Sequence, residues 1–207
     1  MSFYHFPSEF VYWDKVENHN EIKKEILPEI LEANKNKKNN PFDSCKFNTG
    51  FCSIPEVNNK ENSFLMNKKM FDVILFYLEK MFKAIDFNPK KINIHDGWWN
   101  VYDESEFQEE HTHFGPPKYL HGDIFYPAFS VIYILHDENE KSSIVFKKSG
   151  PFPLMEPHCE EVFETKNVKE IKEGTILIFP YNLRHLVKPC IKQGRVTIAY
   201  NIFSVYK

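Results

Sequence analysis

The feature that most constrains this chain is the series of short, β-rich runs that fills it after about residue 90. They are Ile92 to Tyr102, Phe107 to His113, Ala128 to Leu135, Ser143 to Phe146, Glu161 to Thr165, Thr175 to Phe179, His185 to Val187 and Val196 to Phe203. Most are rich in Val, Ile and aromatic residues, and turn-forming or charged residues separate them. Asp137-Glu138-Asn139-Glu140 divides two of them as a hairpin turn would. Strands this short are stable only when they bury a face against a second layer, so the pattern predicts a mainly β fold with a sandwich or barrel-like core.

Before residue 90 the period changes from two to between three and four. Phe71, Ile74, Leu75, Leu78, Phe82 and Ile85 fall on one face of a helix running from about Asn62 to Ile85, with Asn62 or Ser63 placed to cap it. A weaker helix covers Glu21 to Ala33 and carries Pro28 inside it. Between them, Asn34 to Pro41 has no apolar residue before its proline and reads as an exposed loop. The chain therefore divides into an N-terminal helical flank, residues 1–90, packed on a β core, residues 91–207, within one structural domain.

Composition narrows the function classes. Of the 207 residues 42% are hydrophobic and 16% aromatic, which is incompatible with a disordered chain. A net charge of -3 gives no global basic field for nucleic acid, so nucleic acid is an unfavoured partner beside a small molecule or a peptide. No apolar run reaches the roughly 20 residues of a membrane span. The first residues, Met1 to His5, have neither the basic nor the apolar region of a signal peptide, so a cytoplasmic location is expected. Cys45, Cys52, Cys159 and Cys190 form no C-x-x-C pair and read as reduced thiols.

The histidines carry the chemistry. His111 and His113 are two apart on a predicted strand, so both imidazoles point to one side and can face one metal. His185 follows a strand and a proline-containing turn, and Arg195 enters the last strand with Thr197 two residues on. Imidazoles suit Fe, Zn, Ni and Cu, and an arginine nearby offers a planar fork for a carboxylate. Trp98 and Trp99 are adjacent on a strand and face opposite ways, so only one of them can form a substrate platform.

The order of these residues resembles the 2-oxoglutarate/Fe(II)-dependent oxygenase superfamily, particularly its prolyl-hydroxylase-like branch and small bacterial and phage members. Tyr102 precedes His111 on a separate strand, and Phe129 to Leu135 follows as the next core strand. Gly174 to Pro180 leads to the distal His185, and Arg195-Val196-Thr197 resembles the co-substrate segment. The likeness covers residues 92–204. It implies a double-stranded β-helix of the jelly-roll or cupin type. It also implies a hydroxylase that uses Fe(II), 2-oxoglutarate and O2 on a C–H bond of a peptidyl proline or amino-acid-like substrate. By the same resemblance His111 and His185 hold the metal, with His113, aimed beside His111 by strand geometry, expected as the third ligand, while Arg195, Thr197 and Tyr102 bind the co-substrate.

One position departs from the family. Where the pattern has H-x-D/E, this chain has His113. Three readings stay open: His113 is a third neutral ligand, Asp123 in the following loop supplies the carboxylate, or His121-Gly122-Asp123 is the true H-x-D motif. Residues Phe114 to Tyr126 read as a mobile lid, with Gly115-Pro116-Pro117 at its start. The departure also keeps two other functions in view. One is a three-histidine cupin-type dioxygenase without 2-oxoglutarate, which Arg195 argues against, and the other is an inactive β-helix binding module. Oligomeric state is not legible from the sequence.

Overall fold

The computed structural model describes residues 9–35, 47–53, 60–113, 115–137, 142–148 and 161–205. Eleven strands and two α-helices follow in the order β1 (Tyr12–Lys15), α1 (His19–Lys35), β2 (Asn48–Ser53), α2 (Lys68–Ala84), β3 (Lys91–Tyr102), β4 (Gln108–His111), β5 (Lys118–Leu120), β6 (Asp123–His136), β7 (Ile144–Lys148), β8 (Glu161–Glu164), β9 (Thr175–Pro180), β10 (Arg184–Val187) and β11 (Arg195–Val205). A 3-10 segment, Lys60–Met66, precedes α2, and a second, Thr165–Asn167, follows β8.

The strands form two antiparallel sheets. The larger runs β1-β9-β6-β11-β3-β2, with β5 paired to β6, and the smaller runs β4-β10-β7-β8. Alternation along the long strands gives the larger sheet two apolar faces. Its inner face, with Tyr102, Ile132, Ile134, Leu177, Phe179 and Ala199, packs with Ile144, Phe146 and Val187 of the smaller sheet. Its outer face, with Trp99, Val101, Val131, Tyr133, Ile198 and Tyr200, is covered by the helices. This two-sheet arrangement is the double-stranded β-helix that the resemblance implies.

The helices form for the reasons their spacing suggests, with one boundary moved. In α1, Ile22, Ile26, Ile30 and Ala33 are buried, and Pro28 sits on the solvent face, where its missing N–H costs least. The second helix does not start at Asn62. It begins after Asn67, whose Oδ1 accepts the Met70 N–H at 2.8 Å. Asn62 lies at a kink in the preceding 3-10 segment, and its buried amide accepts from the Trp99 indole and donates to the Phe51 carbonyl. A tertiary partner took the side chain that local sequence would assign to a cap.

Three strands, β1, β2 and β5, lie outside the β-rich runs read from sequence. β1 pairs with β9 and β2 with β3, so residues before 90 edge the larger sheet as well as covering it. The reading of residues 137–140 as a hairpin turn is also corrected. β6 pairs with β9 and β11, whereas β7 pairs with β10 and β8, so the chain crosses between sheets there; residues 138–141 lie outside the described residues. Most of Asn34–Pro41 lies outside them too. Of the cysteines, Cys52 and Cys190 are buried free thiols, and Cys45 and Cys159 lie outside the described residues. No described helix is long and apolar enough to cross a membrane.

Candidate metal centre and co-substrate cavity

Strand pairing brings the histidines together. His111 ends β4 and His185 lies in β10, and the two are register partners in the smaller sheet. His113 sits just past β4, with its backbone N–H donating to the Tyr181 carbonyl at 2.9 Å. Ring centroids are 4.2 Å apart for His111 and His185, 4.9 Å for His113 and His185, and 5.3 Å for His111 and His113. One nitrogen of each ring lies within 4.8 Å of the others, a spacing that suits ligands of one ion.

Each ring is oriented by its other nitrogen. His111 Nδ1 donates to the Glu109 carbonyl at 2.8 Å, and His185 Nδ1 to the Leu183 carbonyl at 3.0 Å. A carbonyl only accepts, so the proton is on Nδ1 and Nε2 carries the lone pair that a metal would use; in His111 that lone pair accepts from the Gln108 amide. His113 Nδ1 reaches Asn201 Oδ1 at 3.0 Å and Ser130 Oγ at 2.8 Å. Asn201 Nδ2 donates to Asp96 Oδ2 at 3.4 Å, which sets the amide so that its oxygen faces His113. All three rings therefore share one tautomer.

Burial also keeps them neutral, the form in which imidazole binds a metal. It pushes His111 below its ordinary value, partly opposed by Glu109. Burial first, and then His111, bring His113 down to about 3. His185 is held well below the ordinary range by burial and by the other two rings.

A cavity runs from this cluster to Arg195, lined by Trp98, Asn100, Tyr102, Gln108, Ile132 and Thr197 among others. Arg195 opens β11 and is 1% exposed. Its Nε donates to Asp137 Oδ2 at 3.2 Å, and its guanidinium carbon lies 5.6 Å from the Tyr102 ring centre. Its Nη1 is buried with no hydrogen-bond partner. A buried charged donor left unpaired costs roughly 1–3 kcal/mol or more, so this orphan suits a ligand that brings its own acceptor. Tyr102, whose phenol is pushed up by burial, donates to Gln108 Oε1 at 3.1 Å. Gln108 Nε2 lies 3.2 Å from His111 Nε2, linking the two ends of the cavity.

The structure thus gathers His111, His113, His185, Arg195, Thr197 and Tyr102 around one cavity. It does not gather Asp123 or His121. Asp123 opens β6 and is ion-paired with Lys91, and among the described residues the three histidines are the only such cluster. His121 is exposed, with φ 50°, beside Gly122 at φ 82°, forming a two-residue turn between β5 and β6. Both positive φ values fit the tight turn of a hairpin, so His121-Gly122-Asp123 is a turn rather than a ligand motif. For the same reason the stretch read as a lid is largely a hairpin; Phe114 lies outside the described residues. Of the tryptophans, Trp99 is core and Trp98 lines the cavity. Gln108, Asn201 and Ser130 escaped the sequence reading. Gln108 carries a faint signal, three residues before His111, but the other two meet His113 only through strand pairing.

No protein-family model matches the sequence, and no curated protein matches it. Solved structures do match in fold. The viral collagen prolyl hydroxylase of Paramecium bursaria Chlorella virus-1, in its 2-oxoglutarate complex, superposes with a TM-score of 0.53 at 13% identity, covering 94% of this chain and 97% of that one. A Pseudomonas putida prolyl-4-hydroxylase gives 0.57 at 10% identity, over 97% and 95%. SnoN, a non-heme α-ketoglutarate-dependent epimerase of nogalamycin biosynthesis, gives 0.60 at 11% identity, over 93% and 77%. The chain has the double-stranded β-helix fold found in these 2-oxoglutarate/Fe(II) enzymes.

Proposed function

We propose that this protein is an Fe(II)- and 2-oxoglutarate-dependent dioxygenase. It attacks a C–H bond of a peptidyl proline or amino-acid-like substrate. The observation that carries the reading is the cavity with three co-oriented neutral imidazoles at one end and an unpartnered, buried Arg195 Nη1 at the other. The donor set fits a first-row divalent metal, and the unpaired Nη1 of Arg195 fits the distal carboxylate of a dicarboxylate. His111, His113 and His185 would hold the ion. Arg195, with Thr197 and Tyr102, would grip the co-substrate. Iron with 2-oxoglutarate and O2 supplies oxidising power that no side chain has. The protein's part is to orient: Asp137 holds Arg195, and the Glu109 and Leu183 carbonyls fix two of the imidazoles. Apolar Ile132, Ile144 and Val187 in the cavity wall limit water.

The named substrates of the fold's solved members support the substrate class, since two are prolyl hydroxylases, while the epimerase shows that one fold serves more than one outcome. The histidine set alone would equally suit a cupin-type dioxygenase without co-substrate; the unpaired Arg195 Nη1 favours the dicarboxylate. The reading is tested by titrating the protein with Fe(II) under anaerobic conditions, then with 2-oxoglutarate, and following succinate on admission of air. One equivalent of metal, saturable co-substrate binding and succinate release are expected. Tight metal binding with no affinity for 2-oxoglutarate would favour the cupin-type alternative.

A further inference from the structure

On β3, beside the Asn201 that meets His113, lies a carboxylate that touches neither the three histidines nor Arg195. Along β3 and β11, Tyr200 opposes Gly97 and Asn201 opposes Asp96, but Ile202 opposes Ile94. His95 is therefore an extra residue in β3, a bulge of the kind that re-aims a neighbouring side chain at a functional site. Asp96 is turned onto the inner face beside Asn201, the residue that holds His113. Its side chain is 14% exposed. Its polar contacts are the long hydrogen bond from Asn201 Nδ2 and a 3.7 Å approach of His95 Nε2, a ring that burial holds neutral. No lysine or arginine among the described residues is ion-paired with it. A largely buried carboxylate without a cation is costly, and this one shares its strand face with Trp98. Trp98, two residues on and 5.2 Å from the His113 ring, shares its face. Phe51, directly opposite Trp98 on β2, stacks on it at 6.3 Å and is 47% exposed.

From this juxtaposition we infer that the substrate carries a protonated amine, received by the Asp96 carboxylate and the faces of Trp98 and Phe51. A carboxylate and π faces favour the same charge, and together they select a cation over its neutral isostere. The three-histidine centre adds to the selection. It contributes no anion of its own, so Asp96 is the nearest fixed negative charge along this face of β3. The inference rests on the proposed function for the identity of the reaction, but binding tests it separately.

The full chain, loaded with Ni(II) in place of iron, is titrated with prolinamide beside its N-acetylated form and with lysinamide beside its Nα,Nε-diacetylated form, and followed by NMR. The titrations are run with and without 2-oxoglutarate. At least one charged amide should bind about tenfold more tightly than its acetylated partner. Asp96→Asn removes the charge but keeps an amide oxygen that can accept from Asn201 Nδ2, so it should erase that preference while Ni(II) affinity stays within about threefold. Phe51→Leu should weaken only the charged ligand, by about threefold. Equal binding of charged and acetylated forms would overturn the inference, and so would a preference that survives Asp96→Asn. A collapse of Ni(II) affinity in Asp96→Asn would overturn it as well, by showing that the charge of Asp96 serves the metal centre rather than an amine. Failure to bind 2-oxoglutarate counts against the dioxygenase reading alone, because the amine preference is read in its absence.

Discussion

In the proposed centre, His113 would stand where a carboxylate would put a negative charge on the metal, and an imidazole there would change the charge balance of the whole cavity. With three neutral ligands, the proposed dianionic co-substrate would be the main neutralising partner of a dication. Iron and 2-oxoglutarate should therefore bind with strong positive coupling, each tightening the other by the same factor. His113→Asp should tighten iron alone and weaken that coupling, whereas Asp123→Ala should change neither, because Asp123 is engaged with Lys91. Iron titrations of the two variants, with and without co-substrate, check this; an unchanged affinity in His113→Asp would remove His113 from the site. His185→Ala should abolish tight iron binding, since the ring is 1% exposed and its tautomer is fixed by the Leu183 carbonyl. Arg195→Ala should leave iron in place and weaken 2-oxoglutarate by about 2–3 kcal/mol, the scale of a lost charge-assisted contact, measured by calorimetry on the metal-loaded protein.

At the scale of elements, the edge of the larger sheet depends on how closely β2 approaches β3. Gly50 lies opposite Trp99, and a Cβ there would overlap the indole, which is itself tied to Asn62. Gly50→Ala should therefore destabilise the protein by about 2–3 kcal/mol, as overpacking of a fixed ring does, and should shift the edge that carries Phe51. A denaturation midpoint equal to that of the parent would mean the edge strand adapts. The cap of α2 gives a smaller effect. Asn67→Ala should cost about 1 kcal/mol, because the Met70 N–H loses its acceptor. The smaller sheet is where element pairing makes function: β4 against β10 sets His111 beside His185, and its register irregularity falls between His185 and Val187.

Across the whole molecule, one carboxylate joins the helical cover to the cavity. Glu173, in the loop before β9, accepts from Lys23 of α1 at 2.5 Å and from the Asp137 backbone at 2.8 Å, and meets His19 and His136. Asp137 in turn holds Arg195. Burial alone would raise the Glu173 carboxyl, but the hydrogen bonds from Lys23, Asp137 and His19 outweigh it and bring it down to about 2. Because its folded value lies below its ordinary one, it stabilises the fold above about pH 4.5, and that contribution is lost as pH falls toward 2. After allowance for solvent screening it amounts to about 1–2 kcal/mol. Urea midpoints at pH 6 and pH 3 should therefore converge for Glu173→Gln and the parent as the acid end is approached; a constant gap would place the effect elsewhere. What the sequence determined by itself follows from local periodicity and residue chemistry. The two helices, the β-rich core and the candidate set His111, His185 and Arg195 were legible because strand alternation, helical spacing and ligand type are written in neighbouring residues. Only the tertiary structure decided between His113 and Asp123 as neighbours of that cluster, moved the helix start to Asn67, added β1 and β2 as sheet edges, and turned the expected lid into a hairpin. Those outcomes depend on which strand lies beside which. That pairing is fixed by burial of faces across the two sheets, over distances in sequence that no local pattern spans.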